Sequence, residues 1–205
     1  MEKLLSRVKN IVFSPKSEWQ AIKAEQTTVK DIIISYVAIL AALSPVASII
    51  GMGIVGFSFM GSTVRYPLSY LIAWGVIGYI MSIVGVIIAG AVINALAPTF
   101  ASKKDSVQAV KVAAYSFTPA WVASILNVFP VLGILVLLMS LYGIYLLHAG
   151  LKPLMETPED KAIGYTVVSI IAVIVIVILV NVLVSAVAGV FFFSGKMGMS
   201  PMMSR

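Results

Sequence analysis

The sequence predicts an all-α integral membrane protein, a bundle of five transmembrane helices preceded by short amphipathic N-terminal helices. Three observations predict it. Hydrophobic residues make up 60% of the 205-residue chain and charged residues only 11%, whereas a soluble domain carries roughly a quarter charged residues. Five segments meet or approach the run of about 18 apolar residues that crosses a bilayer. The charges also sort by loop. With the N-terminus inside, that side holds six basic residues before the first span, three between the second and third, and two between the fourth and fifth. Only Arg65, Lys196 and Arg205 fall on the other side. This is the positive-inside pattern. It predicts a multi-pass cell-membrane protein with a cytoplasmic N-terminus and, the span count being odd, a C-terminus outside. The net charge of +6 therefore does not point to nucleic acid. There is no cysteine, which excludes disulfides and thiolate metal sites. Charges interrupt the first 31 residues repeatedly, so the start of the chain does not read as a secretory signal.

Residues 1–30 form a cytoplasmic amphipathic segment. Leu4, Leu5, Val8, Ile11 and Val12 recur at helical spacing opposite Lys3, Arg7 and Lys9. Ser14-Pro15 reads as an N-cap with proline at the first helical position, opening a second short helix with Trp19 and Ile22 on one side. Such helices either lie in the headgroup layer, with Trp19 at the interface and lysines toward anionic lipid, or cap the cytoplasmic end of the bundle. The periodicity is the same for both.

The membrane domain covers 31–193, with spans at about 32–56, 69–96, 107–129, 131–151 and 163–193. Thr28 and Asp31 read as a capping box opening the first span, and Pro45 kinks it. Residues 57–68 are a short loop. Pro98 and Ser102–Ser106 end the second span. The third is the least hydrophobic and contains Pro119. Asn127-Val-Phe-Pro130 turns the chain into the fourth as an antiparallel hairpin. Lys152-Pro153 and 156–161 form the next loop. The fifth span is one long helix that must tilt or protrude from a hydrocarbon core of roughly 30 Å. Residues 194–205 are a flexible Met-rich tail. Its soft thioethers suit copper(I), while the simpler reading is a disordered terminus.

Ionisable groups inside a membrane are functional hypotheses by default. Asp31, Lys111 and Lys152 sit at the cytoplasmic ends of spans, where charges reach the headgroups, and no span carries a carboxylate in its interior. This argues against carboxylate-based catalysis and proton coupling. It predicts a non-enzymatic protein with no catalytic residues, no cofactor and no metal site. The lone His148 lacks Cys, Asp or Glu at ligand spacing and reads as a hydrogen-bonding group, as do Asn94, Asn127 and Asn181. Gly75, Gly78, Ser82, Gly85 and Ala89, spaced three, four, three and four apart, line one face of the second span. Small residues there let helices approach closely, within the subunit or across a homodimer seam.

The densest cluster of helix breakers lies between Tyr115 and Tyr142. Backbone groups freed at Pro119 need partners, because unpaired ones in hydrocarbon cost several kcal/mol. The candidate polar cluster is Tyr115, Ser116, Thr118, Pro119, Asn127, Ser140, Tyr142 and His148. It is predicted to face the bundle interior, with any ligand site against it.

Several stretches in order resemble the Yip family of Ypt/Rab-interacting membrane proteins, in particular its short prokaryotic branch. They are Phe13-Ser-Pro-Lys-Ser-Glu-Trp19, Tyr115-Ser-Phe-Thr-Pro119, Pro130-Val-Leu-Gly133, Tyr142-Gly-Ile-Tyr-Leu-Leu-His-Ala-Gly150 and Lys161-Ala-Ile-Gly-Tyr-Thr166. The resemblance implies a five-span fold and no catalytic residues. Eukaryotic relatives of this type sit in early secretory membranes, bind prenylated Rab GTPases and associate with one another. This chain lacks their long cytosolic N-terminal region, so Rab binding does not carry over. The expected function is a membrane scaffold or adaptor of the Yip type with lipid, membrane-protein or homo-oligomeric partners. A second reading is a small transporter or channel, its polar cavity set by the broken spans one and three and lined by Tyr115, Ser116, Thr118 and Asn127.

Overall fold

The computed structural model describes residues 2–59 and 62–197. Helices long and apolar enough to cross a membrane run over Val29–Val55, Leu68–Phe100, Ser106–Val128, Pro130–Leu154 and Glu159–Val187. They are called spans one to five below. Two short helices precede them, α1 (Glu2–Phe13) and α2 (Pro15–Ala24). The Met-rich tail beyond Met197 lies outside the described residues.

Span three is central. Most of it is buried, whereas spans four and five turn most of their surface outward. This explains its low hydrophobicity, because a helix enclosed by other helices does not have to match lipid. Span one is the least regular. Its capping box is complete: Asp31 N–H donates to Thr28 Oγ1 at 3.2 Å, and Thr28 N–H donates to Asp31 Oδ2 at 3.2 Å. A π turn follows at Ile33–Val37, the helix breaks at Ala42 shortly before Pro45, and a second π turn covers Gly51–Val55. Gly56 ends the span at φ 81°, ψ 163°, a conformation that essentially only glycine adopts.

The segment expected as a plain loop after span one contains an antiparallel pair, β1 (Phe57–Phe59) and β2 (Ser62–Val64), with Phe57 opposite Val64. A second difference lies at the other end of the bundle. The helix of span four continues through Lys152 and Pro153 to Leu154, and the next begins at Glu159. Pro153 is tolerated there because it stands in the last turn, where few backbone bonds remain to lose. Glu156 takes a left-handed φ of 51° just past that helix end.

The stripe of small residues on span two faces neighbours in the same chain. A Cβ added at Gly75 meets Ile49 at 3.1 Å and Pro45 at 3.3 Å, and one at Gly85 meets Ile176 at 3.9 Å. The stripe therefore seats span two against spans one and five.

Candidate functional site: the N-terminal hairpin and its seat

The charged groups of the bundle converge where α1 and α2 meet spans three and four. Proline at the start of α2 and the chain reversal at Ser14 make the two helices an antiparallel hairpin. One face of it is apolar. Ile11, Trp19 and Ile22 are completely buried. Trp19 lies on Gly150 of span four, where a Cβ would come within 2.8 Å of the indole ring. It meets Tyr115 edge-on at 6.1 Å. Tyr142 Oη donates to the Val12 carbonyl at 2.8 Å, close to the hairpin tip. Trp19 thus packs within the protein, so of the two readings of this segment its buried face follows the one that caps the bundle, not the one that lies in the headgroup layer. A protein partner satisfies the same amphipathic pattern that lipid does.

Arg7 closes the hairpin. Its Nη1 donates to Glu18 Oε1 at 2.6 Å and its Nη2 to Glu25 Oε2 at 2.5 Å. The guanidinium also stands 5.7 Å from the centre of the Tyr115 ring, a cation–π arrangement. Lys3 Nζ donates to the other Glu25 oxygen at 2.9 Å.

Span three supplies what the end of α2 lacks. The last carbonyls of a helix have no partners within it. Here Lys111 Nζ donates to the carbonyls of Ile22 and Glu25, each at 2.7 Å, and Gln108 Nε2 to that of Lys23 at 3.3 Å. Lys111 is 1% exposed. It does not reach the headgroups, as expected from its place near a span end, but is used up as the cap of α2. A cation is favoured there because the helix dipole is negative at its C-terminus. The sequence signal was a lysine inside the apolar run Val110-Lys-Val-Ala-Ala114.

Below this charged layer, Tyr36 Oη and Thr118 Oγ1 share a buried 2.7 Å hydrogen bond. The rings of Tyr36 and Tyr115 lie 4.5 Å apart. The bond joins the π turn of span one to the break in span three, two places where the backbone departs from α-helix. Of the candidate cluster, Tyr115, Ser116, Thr118 and Pro119 are buried here. Gly143 of span four approaches so closely that an added Cβ would lie 2.6 Å from the Ser116 carbonyl oxygen. The other members are spread out. Ser140 bonds back to Val136 of its own helix at 2.8 Å. His148 Nδ1 pairs with Thr166 Oγ1 at 2.8 Å. Because that hydroxyl donates to the Ala162 carbonyl, the histidine Nδ1–H donates to its oxygen. Asn127 is half-buried in the turn between spans three and four.

A cavity of about 230 Å³ lies among spans one, two, three and five, lined by Pro45, Gly78, Ser82, Trp121, Val180 and Asn181 among others. It touches the proline of span one, but Tyr115, Ser116, Thr118 and Asn127 are not in its wall. Its wall includes both breaks, through Ala41, Ser44 and Pro45 of span one and Phe117 of span three, with Ser44, Ser82 and Asn181 as polar lining.

The loops between spans two and three and between spans four and five close over the hairpin. Glu156 pairs with Lys23 at 3.2 Å and Lys103 at 3.7 Å. Lys103 N–H donates to the Met155 carbonyl at 2.8 Å, and Ser102 Oγ to Thr157 Oγ1 at 2.9 Å. The hydrogen bond from Lys23 and the charges of Lys103 and Lys23 hold the Glu156 carboxyl below its ordinary range. For Glu25, burial pushes upward, but the hydrogen bond from Lys3 and the charges of Arg7, Lys3 and Lys111 outweigh it, and the net direction is downward. A carboxylate depressed on folding stabilises the fold above its unfolded value, here 4.5, and that contribution disappears as pH falls through the folded value. The apparent melting midpoint of the wild type should therefore drop as pH is lowered below 4.5. Glu25→Gln should melt lower at neutral pH and show a smaller drop, which a pH series of thermal unfolding in detergent measures.

The Yip1 domain profile matches residues 9–181, from α1 into span five. Inner membrane protein YohC of Escherichia coli K12 is 23% identical over 167 residues, covering 79% of this chain and 85% of that protein. YohC of the O6:H1 strain CFT073 aligns with the same figures. No solved structure matches the chain. With the profile running from the middle of α1 through α2 and spans one to four and into span five, the chain belongs to the Yip1 domain family of integral membrane proteins.

Proposed function

We propose that the protein is a non-enzymatic membrane scaffold, an adaptor that presents its charged end to partners in or at the membrane. The observation that supports this best is the closed, ion-paired cap. Arg7, Glu18, Glu25 and Lys111 are all engaged with one another or with backbone, leaving no acid–base pair free in the described interior. What remains on offer is surface: hairpin, loops and the lysines among them. We place this end in the cytoplasm, on the strength of the positive-inside charge bias. We place the protein in a cell membrane of the kind named for YohC.

Crosslinking in native membranes is expected to yield neighbours or self-associated species that depend on the cap. A chain that captures neither counts against the scaffold. Orientation is checked separately. The chain has no cysteine, so a single cysteine replacing Tyr66 should react with an impermeant maleimide applied outside, and one replacing Lys104 should not.

A further inference from the structure

The outer face of the hairpin has no protein partner among the described residues. Leu5, Lys9 and Phe13 are spaced four apart on α1 and so share one face. Leu5 is 61% exposed and Phe13 78% exposed. Lys9 is exposed too, as is Lys16 in the first turn of α2. Neither lysine forms an ion pair among the described residues, in contrast to Lys3, Arg7 and Lys23 of the same hairpin.

The depth of this face follows from its contacts. At 1.5 Å per residue, Phe13 stands about 15 Å further along α1 than Lys3. Tyr142, bonded to the adjacent Val12, lies about 18 Å along span four from Leu154. The rings of Tyr142 and Tyr145 lie 5.4 Å apart in a tilted pair, and Tyr145 is 42% exposed, as expected of aromatic side chains at a membrane boundary. One turn nearer the charged end, the His148–Thr166 pair joins spans four and five. Beyond it in that direction come Lys152, Glu159, Asp160 and Lys161. In the opposite direction, from Ile170 to Val187, span five holds only Asn181 and Ser185 as polar residues. The hydrocarbon boundary therefore falls near the level of the hairpin tip. Phe13 projects to the acyl side of it. Lys9, one turn back, and Lys16, with its flexible stem, reach the phosphate layer.

We propose that the hairpin tip, through Lys9, Phe13 and Lys16, is a binding surface for anionic lipid headgroups of the cytoplasmic leaflet. The aromatic ring anchors the tip among acyl chains, and the two unpaired ammonium groups select phosphate-bearing, net-negative headgroups above it. Arg7 and Lys111 hold the hairpin at this depth without contacting lipid. The inference rests on the orientation proposed above, which the cysteine-labelling experiment tests by itself, and does not depend on a protein partner.

The test uses the full chain reconstituted with phosphatidylcholine and phosphatidylglycerol, extracted in mild detergent, with retained lipids quantified by mass spectrometry. The wild type should retain phosphatidylglycerol preferentially, and the double variant Lys9→Gln/Lys16→Gln should lose that preference by about tenfold or more, each lysine near the surface being a substantial part of the attraction. Lys30→Gln/Lys104→Gln removes the same charge from exposed residues elsewhere on this end and should change little. A polarity-sensitive fluorophore on Phe13→Cys should report an apolar site shielded from iodide. Equal losses in both double variants would reduce the effect to diffuse charge and overturn the proposal. So would iodide quenching at position 13, or displacement of the lipid by inorganic phosphate.

Discussion

Arg7→Ala is expected to release the N-terminal hairpin from the bundle. The side chains of Arg7 and Glu18 are only 13% and 11% exposed, so the pair is shielded from water and salt, unlike a surface ion pair. Removing the guanidinium leaves Glu18 and Glu25 facing each other without their shared donor and withdraws the cation from the Tyr115 ring. Breaking a buried pair from one side costs about 3–5 kcal/mol, because the remaining charge stays buried. The reporter is a cysteine at Ile11, which is 0% exposed in the docked hairpin. Its maleimide labelling should accelerate about a hundredfold in the Arg7→Ala background, each tenfold corresponding to about 1.4 kcal/mol. Arg7→Lys should fall between, since a single ammonium cannot bridge two carboxylates in the manner of a planar fork. Lys9→Ala, on the unpaired outer face, should leave labelling unchanged. Equal rates in wild type and Arg7→Ala would mean that apolar contacts through Trp19 and Ile22 hold the hairpin by themselves.

The parts of this structure legible in the sequence are those decided locally. Five apolar runs must be helices because backbone polar groups in lipid have to pair within their own segment. The Thr28–Asp31 box uses residues three apart. Pro45 and Pro119 break helices through their own missing N–H. The burial of Tyr115, Ser116 and Thr118 is also implied locally, by the need to place polar groups away from lipid. The seat of the hairpin was not legible, because its determinants are distant. Lys111 caps carbonyls 86 and 89 residues earlier in the chain, and Tyr142 reaches back 130 residues to Val12. No periodicity encodes such pairings. An amphipathic helix carries the same stripe whether it faces lipid or protein, so Trp19 read equally well as an interfacial residue. Proline rules likewise missed the continuation of span four through Pro153, since they are weak in the last turn of a helix.

Gly51→Ala is expected to disrupt the seam between span one and the turn joining spans three and four. Gly51 is buried, and a Cβ built on it would stand 1.9 Å from the backbone oxygen of Asn127 and 3.0 Å from its carbonyl carbon. The obstacle is main chain, in the 3₁₀ turn Ser124–Val128, so no rotamer change relieves it. Either the end of span one withdraws, or the turn shifts and carries with it the ends of two spans. Overpacking of this kind costs about 3 kcal/mol at the upper end of its usual range. Close approach of a small residue is also the main source of attraction between helices in lipid, so withdrawal forfeits contacts as well. Gly133→Ala is the matched control. Nothing lies within 4 Å of a Cβ there, and its φ of −54° and ψ of −29° are helical. Alanine should therefore be neutral or stabilise that helix by up to about 1 kcal/mol. Heating in detergent followed by size-exclusion chromatography separates the outcomes: Gly51→Ala should lose its monodisperse peak well below the wild-type temperature, and Gly133→Ala should keep it. Matching midpoints for the two variants would show that the Asn127 carbonyl is not held against Gly51 in the folded protein.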